Sequence, residues 1–190
     1  MPGRTLLLRP WDSGDIPELL DIYRDPVMRQ SSRNPIVTEQ HARRWLEAQR
    51  QGWTDGRRRS FAVRAIEPGD ESGRVVGNVV LKGCQAGKGA AEVGYWTAVT
   101  ARNRGIASQA VDLLTAWAFE TFGPLGLQRL ELLHQQDNFA SCRVAQKSGY
   151  ALIAVLPAEP PAFPSAGHLH VRESPGVGQH YRQSLSHTET

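Results

Sequence analysis

Residues 91–107 read AEVGYWTAVTARNRGIA, and residues 137–150 read DNFASCRVAQKSGY. Ala91 to Val99 is a β-like run, and the turn that follows it, Arg102-Asn103-Arg104-Gly105-Ile106-Ala107, opens a run of helical period. A glycine turn feeding a helix N-terminus aims several backbone N–H groups at one point, and the helix dipole adds positive charge there. Arg102 and Arg104 supply two full charges beside it. Such a place suits a diphosphate.

Working outward, Ile106, Ala110, Leu113, Leu114 and Trp117 share one stripe of a helix that ends near Gly123-Pro124. Gln128 to His134 reads as a strand, Asp137 or Asn138 caps the next helix, and Gly149 ends it as a left-handed cap. Tyr150 to Leu156 is an apolar strand. Upstream, Thr5 to Arg9 reads as a first strand, and Asp12 or Ser13 caps a helix through Tyr23. Pro26 and Asn34-Pro35 punctuate a loop, and Thr38 caps a helix that stops at Gly52. Ser60 to Ile66 and Arg74 to Leu81 are strands split by the turn Glu67-Pro68-Gly69-Asp70. The Gly87-Lys88-Gly89 loop lacks the Ser or Thr and the trailing helix of a phosphate loop, so it reads as a hairpin connection.

Short turns between successive strands make antiparallel pairs, and strand–helix–strand makes a parallel one. The expected class is therefore α/β (α+β): a mixed, mostly antiparallel sheet with helices on both faces. Residues 1–156 form the principal domain. In residues 157–190, Pro157, Pro160, Pro161 and Pro164 prevent regular structure over a short stretch, and Gln179 to Leu185 is the candidate final strand of the same domain. The tail from His168 onward is polar, and a last strand crossing between the subunits of a homodimer, or disorder, is equally compatible with it.

Composition bounds the partners. The chain has 190 residues, 40% hydrophobic and 22% charged, with net charge +3. That mildly favours anionic ligands and falls short of a nucleic-acid signature. Arg57-Arg58-Arg59 is the one basic cluster and reads as the solvated approach to a strand. Two cysteines, Cys84 and Cys142, build no disulfide framework, and no paired Cys/His spacing suggests a metal. Three leucines broken by Arg9 and Pro10 are too short for a secretory signal, and no run approaches a membrane span, so the expected location is the cytoplasm, with no membrane and no nucleic-acid partner.

The order strand, Arg-x-x-Gly-x-Ala, long helix, strand, Asp-Asn-x-x-Ser-x-x-x-x-x-Lys-x-Gly-Tyr resembles the GNAT superfamily of N-acetyltransferases. Within it the chain is most similar to the branch of ribosomal-protein N-terminal acetyltransferases, which its Leu8-Arg9-Pro10-Trp11 also resembles. The resemblance spans about Thr5 to Leu156 and is strongest over Ala91 to Tyr150. It implies acetyl-CoA as co-substrate, with Arg102, Asn103, Arg104, Gly105, Ile106 and Ala107 around the diphosphate. It implies that Trp96, Ala98 and Val99, at the end of the preceding strand, hydrogen-bond the pantetheine arm where the sheet splays. Arg143 and Lys147, one helical turn apart, are candidates for the ribose phosphate or pyrophosphate, with a solvated face as the alternative.

Four residues are candidates for the chemistry. Asn138 either caps its helix or bonds the pantetheine amide. Ser141 sits one turn in. A thiol has a pKa of about 8.5, and a serine hydroxyl is a poor acid to match it. Ser141 is therefore read as stabilising a thiolate or relaying a proton through water. Glu92, on the splayed strand, is the leading general base, with His134 behind it. An α-amine titrates near about 7.7–8.0 and a lysine near about 10.4, a gap worth about 3.4 kcal/mol, so an α-amine acceptor needs only a modest base. The expected reaction is direct transfer of the acetyl group to a primary amine. The alternative is a non-catalytic acyl-CoA-binding sensor. The early helices, with Trp45 and Trp53, and the proline-rich segment are expected to wall the acceptor pocket.

Overall fold

The structure is a computed structural model, and it describes residues 5–32, 34–160 and 164–176. Its strands are β1 (Thr5–Pro10), β2 (Arg58–Glu67), β3 (Asp70–Lys82), β4 (Ala90–Thr97), β5 (Arg129–Gln135), β6 (Ala151–Leu156) and β7 (Gly167–Glu173). Its helices are α1 (Ile16–Ile22), α2 (Pro26–Ser31), α3 (Glu39–Thr54), α4 (Ile106–Phe122) and α5 (Phe139–Lys147). The strands form one sheet in the order β1-β2-β3-β4-β5-β7-β6. Every neighbouring pair is antiparallel except β4 and β5.

The sheet is covered on both faces because successive residues of a strand point to opposite sides. Val93 of β4 joins Phe61, Val63, Val79 and Leu81 in one cluster with Ile106, Val111 and Leu114 of α4. Trp96, of opposite parity, joins the second cluster, built on Ile16 and Leu19 of α1, Met28 of α2 and Ala42 and Trp45 of α3. Leu19 and Leu114 have no exposed surface, and each such side chain contributes about 1.5–3 kcal/mol by burial.

Most helix ends follow the capping residues. The Asp12 carboxylate accepts from the Gly14 N–H, Thr38 Oγ1 from the His41 N–H, and Asn138 Oδ1 from the Ser141 N–H. Four expectations need correction. The segment at Pro26 is helical: the Asp25 carboxylate caps it through the Val27 N–H, and proline at the first position is pre-set for a helix. Gly52 does not stop α3. It is buried within the helix, where an added Cβ would lie 2.7 Å from the Arg58 Cβ, so its smallness serves close helix–strand approach. The Arg57–Arg59 run is not simply solvated. Arg58 Nε donates to Gln49 Oε1, Arg59 lies over the Trp53 ring and donates to the Trp53 carbonyl, and Arg57 alone stays exposed on Asp55. The region from His168, read as a polar tail, contains β7, which inserts between β5 and β6. Gln179 to Leu185 lies outside the described residues.

Candidate active site

The sheet opens where its one parallel pair fails. β4 and β5 pair from Ala90↔Arg129 to Val93↔Leu132 and then part: β4 continues to Thr97, while Leu133 to Gln135 pair only with β7. A cleft of about 370 Å³ lies at the parting. Its walls include Glu92, Gly94, Tyr95 and Trp96 of β4, Leu133 and His134 of β5, Asn138 and Ser141 at the start of α5, and Tyr23 and Met28 on the α1–α2 side. The splay that the family resemblance implied is therefore present, and it brings Glu92, Trp96, Asn138 and Ser141 around one space.

Ser141 receives a hydrogen bond from the half-buried Tyr95 hydroxyl at 3.0 Å. Burial pushes the Tyr95 phenol up, against the opposing effect of the Ser141 hydrogen bond, so it stays a donor. With its oxygen accepting from Tyr95, Ser141 has its own proton to give elsewhere. Nothing in the sequence marks Tyr95 for the site; its partner is 46 residues away, and no local pattern links them. Asn138 spends its carbonyl oxygen on the Ser141 N–H, so the capping alternative is the observed one and its amide N–H₂ is left for other partners. Glu92 faces Lys82 directly across the β3–β4 ladder and is ion-paired with it, each side chain being about two-fifths exposed. His134 donates from Nδ1 to the Gln135 carbonyl, because a carbonyl can only accept.

The turn before α4 lies at the end of the same strand. Asn103 (φ 58°) and Gly105 (φ 74°) are both left-handed, and Asn103 is the one non-glycine residue with positive φ among the described residues. Alternation of left- and right-handed residues curls successive N–H groups into an anion-holding concavity. Gly105 is the N-cap of α4 and supplies no side chain, so the first-turn N–H groups of Ile106, Ala107 and Ser108 have no side-chain cap. Such an unfilled, positively polarised helix start fits a diphosphate. Arg104 is exposed there. Arg102 is held away from full freedom by the Asp25 carboxylate at 3.1 Å, which ties this turn to the start of α2. Ala98 is buried, and Val99 lines a second hollow of about 460 Å³ with Glu18, Asp21 and Asp25. Arg143 and Lys147 are exposed on α5, whose C-terminal Ser148 donates to the Ser108 carbonyl in the first turn of α4. The two basic residues thus belong to the helix beside the turn. Neither Trp45 nor Trp53 lines the cleft: Trp53 packs on Phe61 and Trp117 on the α4 side.

A second group escaped the sequence reading. His134, Cys142, His168 and His170 bring one ligand-type atom each within 4.8 Å of one another. The signal for it was His168-x-His170, the period-two spacing that puts two imidazoles on one face of a strand.

An acetyltransferase (GNAT) domain profile matches residues 5–151. Solved structures share the fold. A protein of Vibrio cholerae assigned as a ribosomal-protein-serine acetyltransferase is 23% identical, with 91% of this chain and 95% of that one covered and a TM-score of 0.74. RimJ of Mycobacterium smegmatis, in complex with CoA-disulfide, is 19% identical, with 90% and 83% covered and a TM-score of 0.74. An acetyltransferase of Salmonella typhimurium that modifies the N-terminal serine of ribosomal protein L7/L12 is 19% identical, with 89% and 95% covered and a TM-score of 0.73. No curated protein matches.

Proposed function

The chain belongs to the GNAT acetyltransferase family, and we propose that it transfers the acetyl group of acetyl-CoA directly to a primary α-amine, using the cleft between β4 and β5. The observation that carries this reading is the parting of β4 from β5 after Val93 and Leu132, beside a helix start with no side-chain cap. Acetyl-CoA is the co-substrate and supplies an activated thioester. The N–H groups of Arg104 to Ala107 hold its diphosphate, with Asn103 shaping the turn, Arg102 and Arg104 adding charge, and Arg143 and Lys147 serving the remaining phosphate. The backbone from Trp96 to Val99, unpaired on the β5 side, carries free polar groups for the pantetheine arm.

Within the cleft, orientation is the main catalytic contribution. Glu92 removes the amine proton through water. Its pairing with Lys82 holds the carboxylate in place, and an α-amine that is already partly neutral near pH 7 asks little of a base. Ser141, oriented by Tyr95, donates to the departing thiolate, and Asn138 keeps the helix start in register with it. One C–N bond forms and one C–S bond breaks; Glu92 passes the amine proton to solvent, and the thiolate, hydrogen-bonded by Ser141, takes a proton back from water. The acceptor approaches from the α1–α2 side, past Tyr23 and Met28. We place the enzyme in the cytoplasm, acting without a nucleic-acid partner, with residues 157–190 completing the same domain as residues 1–156; among the described residues no helix is long and apolar enough to cross a membrane.

The test is acetyl-CoA-dependent mass gain on three acceptors: a peptide with a free α-amine, the same peptide blocked at its N-terminus but carrying lysine, and a polyamine. Acetylation confined to the free α-amine, lost in Gly105→Glu, is expected. Modification of the blocked peptide or polyamine alone overturns the acceptor assignment, and turnover unchanged in Gly105→Glu overturns the cofactor placement.

A further inference from the structure

We infer that His134, Cys142, His168 and His170 form a binding site for one divalent transition-metal ion of the Zn²⁺ class. The four residues come from three elements. His168 and His170 stand on one face of β7, His134 lies directly opposite His168 on β5, and Cys142 is on α5. The ligand-type atoms all lie within 4.8 Å of one another, and Cys142 Sγ is 3.8 Å from His170 Nε2. In a tetrahedral Zn²⁺ site, bonds of about 2.0–2.1 Å to nitrogen and about 2.3 Å to sulfur put neighbouring ligands about 3.3–3.6 Å apart. The cluster needs only small side-chain rotations to reach that spacing.

The hydrogen bonding prepares the imidazoles as ligands. His134 Nδ1 donates to the Gln135 carbonyl, and His170 Nδ1 lies 3.2 Å from the Tyr150 carbonyl, which can only accept. Both rings are thereby held as the tautomer whose Nε2 carries a lone pair, the arrangement by which an outer carbonyl orients a metal-ligating histidine. His134 Nε2 and His168 Nδ1 are buried with no hydrogen-bond partner, a costly state for ring nitrogens that a metal ion removes. The rings also crowd one another: His134 stacks on His170 at 5.1 Å, and His168 meets His134 at 5.3 Å. A shared cation makes use of that crowding. His170 is fully buried, the innermost of the four.

Three nitrogens and one sulfur suit Zn²⁺ or Co²⁺ over harder cations. Binding replaces the Cys142 S–H proton, which leaves to solvent, with a metal–thiolate bond; no electron changes hands. Four protein donors close the coordination sphere, so the ion acts by fastening α5 to β5 and β7. Ser141 precedes Cys142 and His134 lines the cleft, so this fastening sits directly behind the proposed catalytic group. The inference rests on the fold and does not require the acetyl-transfer reading.

The experiment is titration of the full, chelator-treated chain with Co²⁺, followed by absorption, with circular dichroism confirming the fold. One Co²⁺ per chain is expected, with a thiolate-to-cobalt charge-transfer band and tetrahedral visible bands that one equivalent of Zn²⁺ erases. Cys142→Ser loses the charge-transfer band, Cys84→Ser keeps it, and His168→Gln weakens binding by at least the roughly 10–100-fold that loss of an outer partner costs. A folded wild-type chain with no charge-transfer band at millimolar Co²⁺ overturns the site, as does a band that survives in Cys142→Ser.

Discussion

At the scale of single residues, the most consequential contact is the Tyr95 hydroxyl on Ser141. Removing it leaves Ser141 able to rotate, but creates no large cavity. Tyr95→Phe is expected to lower kcat by roughly fivefold, the equivalent of one hydrogen bond of about 1 kcal/mol, with KM for acetyl-CoA unchanged. Steady-state kinetics of Tyr95→Phe, Ser141→Ala and the double variant check this: the double should be no slower than Ser141→Ala alone. Tyr150 makes a different prediction. Its hydroxyl is bonded to Thr115 in the core, and burial pushes its phenol from 10.0 up to about 12. Between those values the folded chain binds the proton more firmly than the unfolded one, so stability is full below pH 10 and is lost as pH rises toward 12. The two-unit gap corresponds to roughly 2–3 kcal/mol. Urea melts across that range should show the decline flattened in Tyr150→Phe. Residues with local jobs, such as the Asn138 cap and left-handed Gly105, were legible from type and spacing alone. Tyr95 was not, because its role is defined by a partner reached only through the fold.

At the scale of elements, β7 is the member that the rest of its sheet half depends on. It pairs with β5 on one side and β6 on the other, and among the described residues β6 has no other strand partner. A chain ending at Leu156 is expected to lose its cooperative thermal transition, read by circular dichroism. A retained sharp transition would mean that β6 can close on β5 unaided. On the other flank, Asp15, at the entrance to α1, is 1% exposed and joins Arg9 of β1 at 2.6 Å to Arg64 of β2 at 2.9 Å. Asp15→Ala leaves Arg64 with Glu18 as its remaining carboxylate and should cost about 3 kcal/mol in urea unfolding, the low end for breaking a buried pair. The strands and helices with clear caps and turns were readable in advance within a few residues. β7 was missed because its alternation is short, with only Leu169 and Val171 apolar between His168, His170 and Arg172; its identity comes from the two strands that flank it.

At the scale of the whole molecule, the Arg102–Ala107 turn, the splayed pair and α5 belong to one unit, so a ligand bound at the turn is expected to stabilise the entire fold. Acetyl-CoA at 100 times its dissociation constant should add about 2.7 kcal/mol, or roughly 5–11 °C in Tm for a chain of this size. Differential scanning fluorimetry of wild type and Gly105→Glu checks this, with the shift expected in the first and absent in the second. The motifs of the chain carried the family resemblance, and the amino-acid sequence alone determined the element order from β2 to β6, the glycine turn at a helix start and the mixed sheet. These follow from spacing, caps and turn residues, which act between neighbours in the chain. The tertiary structure alone decided where β4 and β5 part, which hydroxyl orients Ser141, how Lys82 restrains Glu92, and that three histidines and a cysteine meet behind α5. Those features depend on strand register and on contacts between residues far apart in sequence, and no local rule specifies either.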